Sequence, residues 1–211
     1  MLIMMGLLLS APLFSQKDAR AKELLDKSSS TLNQSGGMSA SFSVNVTDDA
    51  NKMNQSFEGQ TFLNKAKFFI ETPDQTIYFD GKTQWVYNKA IDEVSILEPN
   101  PQDIQVLNPV SVFELYKNGY NYKYNGDKID IKKRKVYDIS LFPTDKNDEI
   151  KQVNLQINPS DYMPVFFHII YKNKMEFRIF INKYQTKLNL PDSQFVFDKS
   201  KYPNAEINDL R

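Results

Sequence analysis

His168 is the one histidine of the chain, set in the run PVFFHIIYK, and no nucleophile motif accompanies it. General-base chemistry needs a reacting proton within hydrogen-bond reach, so His168 reads as a strand histidine. The carboxylate pairs Asp48-Asp49 and Asp92-Glu93 have the residue types of a glycosidase. Aspartate favours turns, where its side chain bonds nearby backbone, and turn and surface roles account for both pairs. Gly36-Gly37 opens no GxGxxG among only 7 glycines, which leaves no phosphate-cradling loop. With 0 cysteines there is no disulfide framework, thiolate metal site or thiol catalysis. A lone histidine also excludes a multi-histidine metal centre. The run Lys132-Lys133-Arg134-Lys135 lies between two extended segments and reads first as a solvated hairpin tip, second as a docking patch for an acidic partner. These residues point away from an enzyme and imply no cofactor.

What stands out instead is apolar. The 211 residues include 15 Phe and 11 Tyr, while 26 basic and 26 acidic side chains cancel. Neutrality argues against nucleic acid or an anionic membrane as the main partner, since both favour a basic face.

The elements that would position such side chains follow from periodicity. Ala21, Leu24, Leu25, Ser28 and Leu32 share one stripe of an amphipathic helix, which Gly36-Gly37 ends. The period then changes to two: Phe42, Val44 and Val46 alternate with Ser41, Ser43 and Asn45. Short extended runs follow at 55–62, 67–71, 75–79, 83–88 and 93–97, and again at 120–124, 136–142, 153–157, 165–171 and 174–180. Turn residues separate them, and Asp80-Gly81 between Ile77-Tyr78-Phe79 and Trp85-Val86-Tyr87 is the clearest hairpin signal. A second short helix is expected at 109–117, presenting Val112, Phe113 and Tyr116. The final residues suggest a short strand and an extended tail. So many strands in series form a long antiparallel sheet, which must curl or close to hide one face and cover its edges.

Residues 1–14, MLIMMGLLLSAPLF, are too short for a membrane-spanning helix, which needs about 20 residues. They fit a secretory signal peptide cleaved after Ser15 or Gln16. The expected organisation is a leader at 1–16 and a single domain over 17–211. No cysteine follows the apolar run, so the lipid anchor of a bacterial lipoprotein is not expected.

Residues 72–96, TPDQTIYFDGKTQWVYNKAIDEVSI, resemble the periplasmic outer-membrane lipoprotein carrier family, LolA. The signals are Pro73, the strand ending in Asp80-Gly81-Lys82-Thr83, and Trp85-Val86-Tyr87-Asn88. An opening Leu-Leu-Asp-Lys helix, the SASFSV strand, Glu58-Gly59, and a terminus carrying Phe195, Phe197, Pro203 and Asp209-Leu210-Arg211 agree with it. The resemblance implies a mainly β (α+β) fold: an open, strongly curved antiparallel half-barrel of about 11 strands, with an N-terminal helix and a short mid-chain helical lid. It also implies a monomeric periplasmic carrier of acylated outer-membrane lipoproteins. Such a carrier takes them from an inner-membrane lipoprotein-releasing ABC transporter (LolCDE-like) and passes them to an outer-membrane acceptor (LolB-like). A lipid- or lipoprotein-sensing module on the same fold is the alternative.

Matching the family's apolar lining gives Phe68, Ile70, Ile77, Phe79, Trp85 and Tyr87 as acyl-chain contacts, and alternation and lid position add Phe42, Val44 and Phe113. Period two groups side chains on a face without saying which face is concave. The family's carriers place an Arg before the Pro-containing turn, where it bonds the lid. Lys65 is the matching residue here, supplying a charge but not the guanidinium fork.

Overall fold

A computed structural model describes residues 18–99 and 115–211. The apolar leader and most of the expected mid-chain helix, Phe113 included, lie outside the described residues.

Helix α1 (Ala19–Gln34) opens the described chain. Asp18 caps it, accepting from the backbone N–H groups of Arg20 (2.9 Å) and Ala21 (3.1 Å), which satisfies two of the amides a helix start leaves unpaired. Its buried face is the expected stripe with Ser29 added. Gly36, at φ +65°, turns the chain out of the helix through the left-handed region that glycine enters freely. Ser35 then ties the helix end to the sheet, its carbonyl accepting from Lys187 N–H at 2.8 Å.

Twelve strands follow: β1 (Gly37–Asp48), β2 (Met53–Asn64), β3 (Lys67–Glu71), β4 (Gln75–Phe79), β5 (Gln84–Asn88), β6 (Glu93–Leu97), β7 (Tyr120–Ile129), β8 (Lys135–Pro143), β9 (Ile150–Ile157), β10 (Pro164–Tyr171), β11 (Met175–Leu188) and β12 (Glu206–Asp209). They make one sheet in the order β12-β6-β5-β4-β3-β2-β1-β11-β10-β9-β8-β7. The two edges, β12 and β7, do not meet, so the sheet is open. It curls because side chains from strands as far apart as β4 and β8 enter one apolar cluster with α1.

Where about 11 antiparallel strands are expected, the described residues form 12, and one pair is parallel: β12 runs alongside β6, Ile207 opposite Val94. After β11 the chain crosses the outer face of the sheet through two 3-10 turns, Asp192–Phe195 and Lys199–Lys201. It is held there by Phe195, fully buried against Phe69 and Tyr78. A crossing of this kind, unlike a hairpin, leaves strand direction free. β11 extends eight residues past the expected end and β7 five, because their polar outer stretches are held by backbone pairing, Gly37 opposite Leu188 and Ile129 opposite Lys135.

Candidate functional site

The concave face is built by alternation. Phe42, Val44 and Val46 point inward from β1, Phe68 and Ile70 from β3, and Ile77 and Phe79 from β4. Register brings them together: Phe68 pairs with Phe79 and Ile70 with Ile77, and the two phenyl rings lie 5.0 Å apart, tilted by 32°. Phe42 is opposite Gly59. A Cβ at Gly59 would lie 2.5 Å from the Phe42 ring and 2.7 Å from the Glu71 carbonyl oxygen. The glycine is thus the space in which the Phe42 ring lies, a role its type alone did not reveal.

The structure places the named candidates unequally. Phe42, Val44, Phe68, Ile70, Ile77 and Phe79 share the concave face. Trp85 and Tyr87 do not. Ile77 pairs with Val86, Tyr78 with Trp85 and Thr76 with Tyr87, and cross-strand partners share a face. Val86 therefore takes the inward position on β5. Trp85 packs with Phe69, Tyr78 and Phe195 on the outer face. Tyr87 packs on Tyr202, with ring centroids 4.3 Å apart and the rings tilted by 48°, and donates its hydroxyl to Asp92 at 2.9 Å. Lys65 is exposed at the β2–β3 turn with φ +56° and makes no ion pair among the described residues. Its neighbour Lys67 does, to Asp192 at 2.7 Å.

The other half of the face comes from strands without a named candidate: Ile139 and Leu141 on β8, Leu155 on β9, Phe167 on β10 and Ile181 on β11. The same period-two signal is visible in each of these segments.

Helix α1 fills the concavity. Ala21, Leu24 and Leu25 are fully buried in it, and Leu32 nearly so. The space left at the helix end, between Leu32, Met38, Ala40, Leu63, Pro164 and Tyr184, is about 10 Å³, room for one water. Leu115 and Tyr116, at the described start of the second half, are buried in the same cluster.

Polar contacts fasten α1 at the β7 edge. The second oxygen of the Asp18 carboxylate accepts from Tyr124 N–H at 2.9 Å. Burial pushes this carboxyl up, but donation from Tyr124, Ala21 and Arg20 N–H outweighs it and holds the group below its ordinary value of 3.8. Asp26 is likewise raised by burial and lowered further by hydrogen bonds from Lys22 and Tyr116, the latter at 2.8 Å. Arg20 and Lys27 lie 5.4 and 5.1 Å over the rings of Tyr137 and Tyr162. One group disagrees with its surroundings. The Ser28 hydroxyl is fully buried on the inward face of α1 and has no hydrogen-bond partner among the described residues.

His168 bonds Glu176 at 2.9 Å on the sheet, and Glu176 also pairs with Arg178. No group of three or more metal-ligating side chains occurs among the described residues. Outside the sheet, a cleft of about 540 Å³ lies between Phe69 and Tyr78 and the crossing segment, with Val196, Phe197 and Tyr202 on its walls. Burial and the bond to Tyr202 push the Tyr78 phenol up.

Residues 10–173 match the family model described as outer membrane lipoprotein carrier protein LolA. The chain belongs to this family. Over 156 residues it is 30% identical to an outer-membrane lipoprotein carrier protein of Shewanella halifaxensis, covering 71% of this chain and 70% of that one. Among solved structures it is similar to an uncharacterized conserved protein from Thermus thermophilus, with a TM-score of 0.60 at 12% identity over 90% of this chain and 99% of that one. It is also similar to a DUF1329 family protein from Desulfovibrio piger, with a TM-score of 0.52 at 10% identity over 89% of this chain and 100% of that one. At such identities the structural likeness speaks for the curved open sheet alone. The LolA family assignment rests on the sequence.

Proposed function

We propose that this LolA-family chain is a periplasmic carrier that holds the acyl chains of lipoproteins against its concave face. It takes them from an inner-membrane ABC transporter and delivers them to the outer membrane. The observation that supports the reading is the apolar face running across the sheet from β4 through β1 and β11 to β8, against which the leucines of α1 pack. The leucines of α1 are buried against that face and the space at the helix end is about 10 Å³, so on this reading a cargo chain enters by displacing α1 and takes over its apolar contacts. Phe42, Val44, Phe68, Ile70, Ile77 and Phe79 are the proposed lining, with Val86 in place of Trp85 and Tyr87. Residues 1–16 serve as the export leader, and the chain works as a monomer.

The test is release of an acylated lipoprotein from inner-membrane vesicles by the purified protein. Release is expected to require ATP and the acyl chains. A non-acylated version of the same lipoprotein released equally well refutes acyl recognition.

A further inference from the structure

The tip of the β7–β8 hairpin places apolar side chains in water beside unpaired cations. Ile131 is 78% exposed and Ile129 62%. The turn that joins β7 to β8, with Ile131 in it, is closed by backbone bonds: Asp130 N–H donates to the Arg134 carbonyl at 2.9 Å, Lys133 N–H to the Asp130 carbonyl at 3.0 Å, and Lys133 sits at φ +60°. Asp130 is consumed inside the turn, its side chain only 5% exposed and bridged to Arg134 at 2.7 Å. Asp127 accepts from the Tyr124 hydroxyl. Lys132 donates to Asn182, while Lys128, Lys133 and Lys135 make no ion pair among the described residues. A neutral protein thus carries five cations against two carboxylates over residues 127–135, with both carboxylates engaged and two isoleucines beside them.

We propose that this hairpin tip is a membrane-contact element, its lysines on anionic phospholipid headgroups and Ile129 and Ile131 entering the interface. The chemistry is that of interfacial anchors, in which apolar burial and attraction to anionic lipid act together. An exposed tip that sets isoleucines among lysines suits a deformable headgroup layer, which takes both at once. Each lysine near an anionic surface contributes about fivefold in binding, so a few cations and two small side chains give an attachment that reverses readily. The proposal stands on the hairpin alone and is separate from the carrier reading.

Co-sedimentation of the full chain with vesicles tests it, using phosphatidylethanolamine with phosphatidylglycerol against phosphatidylcholine alone. The apolar run at 1–14 is common to all variants, so differences between them read the tip. The wild type should prefer the anionic vesicles and lose that preference as salt rises. Ile129→Asp with Ile131→Asp should abolish it, and each of Lys128→Gln, Lys133→Gln and Lys135→Gln should weaken it about fivefold. Ile91→Asp is the control: Ile91 is 63% exposed in the β5–β6 turn but has Asp92 and Glu93 beside it, and its loss should change nothing. The chain has no native cysteine, so Ile131→Cys can carry a single environment-sensitive dye, expected to shift to the blue on anionic vesicles. Equal binding to both vesicle types, binding unchanged in the isoleucine pair, or no shift at 131 overturns the proposal. The third outcome, with binding retained, would place the membrane contact elsewhere on the chain.

Discussion

Replacing Asp18 with Ala should loosen the helix that occupies the concave face without dismantling the sheet beneath it. One carboxylate does two jobs: it caps α1 through Arg20 and Ala21 N–H, and it accepts from Tyr124 N–H on the edge strand β7. Losing the cap costs about 1 kcal/mol. Leaving the Tyr124 N–H without an acceptor costs about 1–3 kcal/mol, and the lower part of that range applies because water reaches a sheet edge. The sum, about 2–3 kcal/mol, raises the open population of α1 by roughly 30- to 150-fold. Asp18→Asn should fall between, since one amide oxygen cannot serve both partners. Native-state hydrogen exchange reads the effect: Leu24 and Leu25 amides should exchange faster by that factor, with Val44 in β1 changing far less. The linkage has a definite sign. A carboxyl held below its ordinary 3.8 stabilises the fold above that value and loses its contribution as pH falls through the lower folded value. The gap between wild type and variant should therefore close on acidification below about pH 4. Unchanged exchange in α1, or an equal acceleration in α1 and β1, would refute the latch, the second because it means that the helix opens only when the whole sheet unfolds.

Two further outcomes follow from the packing. Ser28→Ala removes a buried hydroxyl without a partner and favours helix, so α1 should be held more tightly by about 1–2 kcal/mol, visible as a higher melting temperature and slower α1 exchange. Gly59→Ala should destabilise by about 1–3 kcal/mol, because its Cβ meets both the Phe42 ring and the Glu71 carbonyl; Phe42→Leu should recover only part of this in a thermal melt, since the carbonyl cannot move aside cheaply.

The short strands were legible because turn chemistry bounds them. β3, β4 and β6 coincide with the runs at 67–71, 75–79 and 93–97, each closed by turn residues such as Thr72-Pro73-Asp74. The polar ends of β7 and β11 were not, because backbone pairing leaves no mark on side-chain alternation. The misplacement of Trp85 and Tyr87 has a different origin. The β4–β5 connection spans Asp80 to Thr83, with the Asp80 side chain accepting from Lys82 and Thr83 N–H at 2.8 Å each. An even number of loop residues sets odd positions of one strand opposite even positions of the next. Ile77 therefore shares a face with Val86, as observed. The same parity follows from a two-residue Asp-Gly turn, so the face is readable from the hairpin itself; matching side chains to the family's lining takes no account of register. The C-terminal crossing left no local signal, since Phe195 finds its place by contact with Phe69 and Tyr78, residues distant in sequence.

On the proposed reading, the filled cavity explains how a protein can bind acyl chains and still let them go. Burying Leu24, Leu25 and Leu32 of α1 stabilises the empty form by about 5–9 kcal/mol, which corresponds to roughly 6–11 methylene groups at about 0.8 kcal/mol each. A single long acyl chain recovers that cost, and three exceed it severalfold. For one such chain the net affinity is then a difference between two apolar occupants of one face, well below the ceiling of about 18–21 kcal/mol on non-covalent complexes. The helix sets where within that difference the carrier operates. Asp18 strengthens its hold on β7 and Asp26 its hold on Tyr116, and the unpartnered Ser28 hydroxyl weakens it. A buried polar atom that would be a fault in a core built only for stability fits a helix that must leave its seat each time cargo arrives.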